Sequence, residues 1–138
     1  MNETTTGLMG EMLAGAAILS LGWRYSPCQQ DRVDGLAFLD QTFLRVQVKT
    51  ASLLRAKDGR ASPRHHFNFG HGSRVKHLPT KDDFDVLCLV SPNSRRCLFM
   101  PITSVQQYSM RLPASRFTVE EEASSWAKTV DIILEMRR

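Results

Sequence analysis

Long apolar runs are absent from this chain of 138 residues, and cysteine is scarce. The longest apolar stretch, residues 12–23, falls short of the roughly 20 residues that a membrane-spanning helix needs. No lysine or arginine precedes it, so the usual pattern of a signal peptide is missing as well. Cys28, Cys88 and Cys97 are odd in number and lack metal-ligand spacing, which excludes a disulfide scaffold or a zinc finger and indicates a reducing compartment. We therefore expect a cytoplasmic protein.

The composition is that of an ordinary globular domain, with 42% hydrophobic and 23% charged residues. A chain of this length buries roughly two-thirds of the surface that its unfolded form exposes. Internal repeats, low-complexity tracts and linkers are absent, so we expect a single domain over residues 1–138. The net charge of +4 gives a modest preference for anionic partners.

An N-terminal helix is predicted over residues 6–21, with a threonine of the run 4–6 as its N-cap and Gly22 as its stop. Glu11 is the one charged residue between positions 7 and 23. Such a helix must be covered on most of its sides. Its apolar stripe is expected to comprise Leu8, Met12, Ala16 and Leu19.

The most regular pattern is a hairpin whose strands cover residues 33–39 and 42–49, each alternating with period two. A turn centred between the strands pairs positions whose numbers sum to 81, so Asp34 is expected opposite Gln47. Lys49 lies two residues farther along and therefore points to the same side as Gln47. An acid, an amide and an amine are thus predicted to converge at one end of the hairpin, provided that this register holds.

The second half of the chain predicts one buried central strand, a returning strand and a final helix. Residues 85–90 form a continuous apolar run, and residues 96–100 are expected to pair back onto them. Thr118 or Ser115 is the candidate N-cap of the last helix. A shorter strand is expected at residues 65–69. The apolar stripe of the last helix is predicted to be Val119, Ala123, Trp126, Val130 and Ile133.

The acid, amide and amine suit metal-assisted hydrolysis. Mg²⁺ takes oxygen ligands, commonly one or two carboxylates completed by water and substrate phosphate. Asp34, the Gln47 amide oxygen and the Val48 carbonyl can supply such ligands, and Glu11 is a further candidate because a lone carboxylate on an apolar helix is costly to bury. Lys49 can hold the attacking water. The same alternation also fits a half-exposed strand with a solvated polar face, and the pattern by itself favours that interpretation.

Three motifs in order resemble the PD-(D/E)XK nuclease superfamily. They are Gly10-Glu11 on the helix, residues 32–35 (RVDG) and residues 45–51 (RVQVKTA). Within that superfamily the sequence is most similar to the small group I intron-encoded homing endonucleases, and the likeness covers roughly residues 7–117. The acid two residues before the lysine is Gln47 here, a neutral ligand shared with that subgroup. Val33 stands where the motif's name has proline.

The resemblance implies an α/β fold with a restriction-endonuclease-like core, a mixed and mostly antiparallel sheet flanked by an N-terminal and a C-terminal helix. It implies a Mg²⁺-dependent endonuclease, with Mn²⁺ as the expected substitute, that cuts double-stranded DNA at a specific site. Glu11, Asp34, Gln47 and Lys49 would be the catalytic residues. A homo-oligomer is also implied, either a dimer or a tetramer, because one small subunit cuts one strand.

Basic residues concentrate after the hairpin, with nine between positions 45 and 81 against the single acid Asp58. Such a stretch is typical of phosphate contacts, although a solvated basic loop is common too. Its position beside the acid and lysine favours DNA. The residues predicted to contact DNA are Arg45, Arg55, Lys57, Arg60, Arg64, His65, His66, Arg74 and Lys76.

Two other functions fit the same residues. A structure-selective nuclease of the same fold, such as a Holliday-junction resolvase, would read DNA shape. A non-catalytic DNA-binding module would use the basic loop alone, with Gln47 marking a decayed site. A metal held by His71 and His77 is not indicated by their spacing.

Overall fold

The computed structural model describes residues 2–54, 63–72 and 74–138. In this part of the chain two long helices and eight strands follow one another, and no helix there is long and apolar enough to cross a membrane. The elements are α1 (Glu3–Ser20), β1 (Arg24–Gln30), β2 (Val33–Leu39), β3 (Thr42–Thr50), β4 (Leu53–Leu54), β5 (Arg64–Asn68), β6 (Val86–Ser91), β7 (Arg96–Pro101), β8 (Ser109–Pro113) and α2 (Val119–Met136).

The main sheet has five strands in the order β1-β2-β3-β6-β7, and every neighbouring pair is antiparallel except β3 with β6. The predicted hairpin register is confirmed from Gly35 with Val46 to Leu39 with Thr42, and the predicted pair of Asp34 with Gln47 lies one position beyond the observed pairing. Asp40 adopts φ of 53° at the turn, a conformation that aspartate tolerates better than most residues. The predicted fold, a mixed and mostly antiparallel sheet with two flanking helices, is confirmed.

The first helix packs against the sheet through its small residues, and this corrects the predicted stripe. The buried positions are Gly10, Ala14, Gly15, Ala17 and Ile18. Leu8, Met12 and Leu19 are instead exposed, at 55%, 68% and 56%. The predicted threonine cap is also wrong, because the Asn2 Oδ1 accepts from the Thr5 N–H at 2.8 Å. Gly22 ends the helix as predicted, with φ of 93°.

The second helix covers the same face of the sheet, capped by Thr118 as predicted. Trp126 packs edge-on against Trp23 and Phe99, with ring centroids 5.3 and 4.9 Å apart. The buried stripe differs from the prediction, because Val119 and Ala123 are exposed. The buried face contains two polar residues, Glu122 and Thr129, that the prediction did not include. The buried residues of α2 are Glu122, Trp126, Thr129 and Ile133.

The buried Glu122 is tied to the edge strand β7. One carboxylate oxygen accepts from the Cys97 N–H at 2.9 Å, and the other accepts from Arg96 at 3.3 Å. The carboxylate therefore satisfies a backbone donor on β7, which explains how a charge can lie at 5% exposure.

A second sheet, in the order β4-β5-β8, covers the other face of β6 and β7 and was not predicted. Its inner side chains build a second apolar core. His65 belongs to that core at 1% exposure, and its Nδ1 lies 2.7 Å from the Ala51 carbonyl oxygen. The second sheet is thereby fixed to the chain just after β3. The fully or nearly buried aromatic residues of this core are Phe67, Phe69, Phe84 and Phe117.

Candidate active site

The site begins where β2 and β3 separate. Their pairing ends at Gly35 and Val46, and one residue beyond it the Asp34 carboxylate lies between the strands. Its Oδ2 accepts from the Val48 N–H at 2.7 Å. This bond fixes the carboxylate at the open end of the hairpin, where β3 turns from antiparallel pairing with β2 to parallel pairing with β6.

Glu11 meets this carboxylate from the helix on the other side. The carboxyl groups of Glu11 and Asp34 lie within hydrogen-bonding reach of each other. Partial burial, followed by the charge and hydrogen bond of Asp34, raises the pKa of Glu11. Two neighbouring carboxylates repel each other when both are ionised, and a bound cation would relieve that repulsion.

Gln47 and Lys49 lie on β3, at the end of the hairpin where Asp34 lies on β2. Both are half-buried, and their backbones pair with Leu87 and Leu89 of β6. Burial lowers the pKa of Lys49, and the negative charge of Asp34 partly offsets that effect. The ammonium group therefore lies in the field of the carboxylate, as the register predicts. Gln47 shares the strand face of Lys49 because the two are separated by two residues.

An open cleft of about 760 Å³ lies between the first turns of α1 and the end of β3. Glu11 lines the cleft on the side of α1, and Lys49 lines it on the side of β3. Hydroxyl groups from both walls surround them and can donate hydrogen bonds to an anion. They belong to Thr4, Thr6, Thr50 and Ser52.

Tyr25 is a neighbour of the site that sequence reasoning missed. Its ring lies between α1 and β2, where a Cβ on Gly15 would come within 2.9 Å of the ring and one on Gly35 within 2.0 Å of the hydroxyl oxygen. Burial and the charges of nearby groups, Asp34 and Glu11 among them, raise the pKa of Tyr25. The only sign of this packing in the sequence is the presence of Gly15 and Gly35. The sequence near them does not show that Tyr25 fills the space they leave.

Gly10 sets the distance between Glu11 and the sheet. A Cβ at position 10 would lie 1.7 Å from the Thr50 Oγ1, so α1 packs on β3 at a separation that no side chain allows. The Gly-Glu pair on the helix therefore has a physical reason, since the glycine brings the following carboxylate to Asp34.

We expect Gly10→Ala to lower the free energy of unfolding by about 1–2 kcal/mol, because overpacking outweighs the gain in helix propensity. Gly7→Ala is the matched control, since a Cβ at position 7 has no atom within 4 Å and alanine favours the helix. Thermal unfolding of both variants tests this. A Gly10→Ala protein as stable as Gly7→Ala would contradict the packing argument.

Arg45 has a structural role in the fold, and its contact with DNA stays a prediction. Its Nε and Nη2 donate to the Asp85 carboxylate at 3.2 and 3.1 Å. Its guanidinium also donates to the carbonyls of Asp82 and Lys81, both at 2.8 Å. The hydrogen bonds to Asp85, together with the negative charges of Asp85, Asp82 and Asp83, raise the pKa of Arg45, and burial partly opposes this effect. The side chain therefore joins β3 to the loop before β6.

The other predicted DNA contacts divide by exposure. His65 is buried, so it cannot reach a phosphate, and its prediction is corrected for that reason. Burial also lowers the pKa of His65. Arg64 and His66 both lie on the side of β5 opposite to His65, where Arg64 is exposed and His66 is half-buried. Arg55, Lys57 and Arg60 lie outside the described residues.

Arg74 and Lys76 are exposed on a short basic turn. Its base is a pair of backbone hydrogen bonds between His71 and His77, of 2.9 and 2.7 Å, and their rings lie 5.8 Å apart. The spacing of these histidines did not predict that they meet. In the parts of the chain that the structure describes, no cluster of three or more His, Cys, Asp or Glu side chains is placed to hold a metal.

Comparison with solved structures shows a likeness of fold. A solved structure titled as that of a bacterial homing endonuclease, I-Ssp6803I, superposes with a TM-score of 0.74 at 14% sequence identity. The superposition covers 100% of this chain and 99% of that chain. No family model matches the sequence, and no curated protein matches it. The chain therefore has the fold of that homing endonuclease.

Proposed function

We propose that this protein is a site-specific endonuclease that hydrolyses phosphodiester bonds of double-stranded DNA with Mg²⁺, in the manner of a homing endonuclease. One observation carries the proposal. Glu11 and Asp34 are close enough to influence each other's charge at the end of a hairpin, and Lys49 lies on β3 beside an open cleft. The fold shared with a homing endonuclease supports it.

The residues present fit a hard divalent cation. Glu11 and Asp34 would hold it, with the Gln47 amide oxygen and the Val48 carbonyl as neutral ligands. Because the site has two carboxylates, water and the substrate phosphate must complete the shell. Bound Mg²⁺ would supply Lewis-acid stabilisation of the phosphate charge, and Mn²⁺ is the expected substitute.

The side chains of the chain itself perform three tasks in this proposal. Lys49 holds the attacking water and offsets negative charge as the phosphorane forms. The hydroxyls of Thr6 and Thr50 line the cleft and can donate to the phosphate. The water oxygen bonds to phosphorus in line with the 3′-oxygen, whose bond to phosphorus breaks. The water gives its proton to bulk solvent, and the leaving 3′-oxygen takes up a proton from solvent.

Double-strand cleavage requires at least two copies of this site, and we infer a homo-oligomer. The exposed apolar stripe of α1, formed by Leu8, Met12 and Leu19, supports self-association because a two-fold axis would place the same stripe opposite itself. Met12 is 68% exposed at its centre.

Sedimentation velocity is expected to give a dimer or a tetramer, and Met12→Glu is expected to weaken its association at least tenfold. Repelling charges would face each other across the axis. Met136→Glu, a change at a 52% exposed site on α2, serves as control. Dissociation by the control alone would assign the interface to another surface, and a monomeric wild type would contradict the inference.

The function is tested by incubating the protein with its own flanking genomic DNA in Mg²⁺ or in EDTA. Discrete fragments are expected from the wild type in Mg²⁺, and none from Asp34→Ala or Lys49→Ala. The ends of the fragments give the target sequence.

Two other results would replace the proposal. Cleavage of a four-way junction without a unique duplex site would select a junction resolvase. Salt-sensitive binding that Mg²⁺ does not change, without cleavage, would select a non-catalytic DNA-binding module. The neutral Gln47 and the small number of carboxylates are the observations that favour the module.

A further inference from the structure

The outer face of the second sheet is polar and basic along β5 and β8, whereas Leu54 of β4, opposite Arg64, is apolar and exposed. Along β5 exposure alternates, because Arg64 and Asn68 are exposed whereas His65 and Phe67 are buried. His66 is half-buried between the two outer residues, with its Nε2 covered. The inner residues belong to the second core, so they fix which side of the strand faces out.

The neighbouring strand β8 adds to this face through its register. Arg111 pairs with His66, and Ser109 pairs with Asn68. Arg111 is exposed and Ser109 half-buried. We call Arg64, His66, Asn68, Ser109 and Arg111 the outer sheet face. No carboxylate belongs to this set, and each member can form hydrogen bonds.

A groove continues the outer sheet face at the beginning of β8. It has a volume of about 740 Å³ and is lined in part by Gln106, Gln107 and Arg111. Both glutamines are exposed. Two neutral amides therefore extend a face that already carries an amide and two guanidinium groups.

We propose that the outer sheet face reads base edges in the major groove of the DNA target. This inference rests on the proposed function and names the surface that would give it sequence specificity. Arginine pairs with guanine, and asparagine with adenine, through two hydrogen bonds each. An amide has no charge to attract a phosphate, but it offers a donor and an acceptor together, as an adenine edge requires, so Asn68 and the two glutamines suit bases as partners.

The dimensions of the sheet suit this partner. Residues on one side of a strand are about 6.8 Å apart, close to twice the 3.4 Å rise of a base pair. Arg64 and Asn68, the two exposed residues, would therefore address bases roughly 14 Å apart along the groove. A two-stranded ribbon fits a major groove about 12 Å wide.

The outer sheet face is also held at a fixed position relative to the cleft. β4 begins four residues after Lys49, and β5 pairs with it. His65 binds the Ala51 carbonyl oxygen at 2.7 Å from the inner side of the same strand. Because strand pairing and this bond leave little freedom, a base read by the sheet would set which phosphate enters the cleft.

The test selects duplexes from a randomised pool by binding in EDTA, and then measures Mg²⁺-dependent cleavage of the selected pool. Asn68→Ala and Arg111→Ala are each expected to lower discrimination at one base pair by about tenfold or more, with the other positions unchanged. Arg74→Ala is the matched control on the basic turn. It is expected to weaken binding to all duplexes equally and to reduce the salt dependence of affinity.

The two selection steps separate this inference from the proposed function. Altered base preference in EDTA, without cleavage by the wild type, would support the reading face and reject the proposed catalysis. Cleavage with base preferences that neither Asn68→Ala nor Arg111→Ala changes would reject the reading face alone. A uniform loss of affinity in both variants, or a wild type that binds no duplex, would also overturn the inference. Unchanged thermal unfolding of both variants excludes loss of folding as the cause.

Discussion

Lys49→Ala is expected to lower the rate of DNA cleavage by about a thousandfold while leaving duplex binding nearly unchanged. Lys49 is half-buried in the cleft and lies in the field of Asp34. A charge held in that position acts on the phosphate that reacts, and its stabilisation grows as negative charge develops in the transition state. Affinity depends on many phosphate contacts, so the loss of one cation has little effect on binding.

The measurement is single-turnover cleavage beside a binding titration of the same duplex. Lys128→Ala is the matched control, since Lys128 is exposed on α2 and its loss is expected to change neither quantity. Lys49→Arg keeps the charge but alters its shape, and we expect an intermediate rate. Cleavage by Lys49→Ala at the wild-type rate would reject the assigned role.

The hairpin was predictable because its information is local. Apolar residues alternate along β2 and β3, so one face had to be buried and a slip of one residue would have exposed it. The observed pairs, from Gly35 with Val46 to Leu39 with Thr42, follow the predicted sum of 81. The positions of Asp34 and Lys49 at its open end followed from that register alone.

The orientation of α1 could not be predicted from the same kind of pattern. The helix has few polar residues to mark its solvent side, and the larger apolar residues suggested the wrong face. Gly10, Ala14 and Ile18, spaced by four, form the buried face instead. The helix approaches the sheet closely at Thr50, so its buried face needs small side chains. This need arises from packing in the folded protein and leaves no pattern in the helix sequence.

The second sheet and the structural roles of Arg45 and His65 were hidden for a related reason. β5 pairs with β8 across more than 40 residues of sequence, and β4 has two residues. A basic residue near a predicted site looks like a ligand contact until its partners are known. Arg45 is bound by Asp85, 40 positions away. Long-range pairing of this kind leaves no local period in the sequence.

Glu11→Gln is expected to raise the stability of the metal-free protein while lowering cleavage at least about a hundredfold. Partial burial and the nearby charge of Asp34 both disfavour the ionised form of Glu11, and the glutamine removes both costs. Because Glu11 is well solvated, screening limits the gain to about 1 kcal/mol, or roughly 3 °C in the midpoint of unfolding. The same change removes a predicted ligand of the cation, so cleavage falls as stability rises.

The dependence of this gain on pH identifies its cause. The pKa of Glu11 is raised by folding, so its protonated form favours the folded state, and the wild type loses that contribution as pH rises above the ordinary value of 4.5. The difference in midpoint between Glu11→Gln and wild type should therefore be near zero at pH 4 and grow toward neutral pH.

Thermal unfolding from pH 4 to pH 8 in EDTA measures this difference, with Asp131→Asn, a change at an exposed site, as control. Adding Mg²⁺ should stabilise the wild type more than Glu11→Gln, because a bound cation relieves the repulsion that the glutamine lacks. A gain that does not vary with pH would assign the effect to helix propensity. A less stable Glu11→Gln would mean that Glu11 stabilises the fold, and the function of the acidic pair would then rest on Asp34 alone.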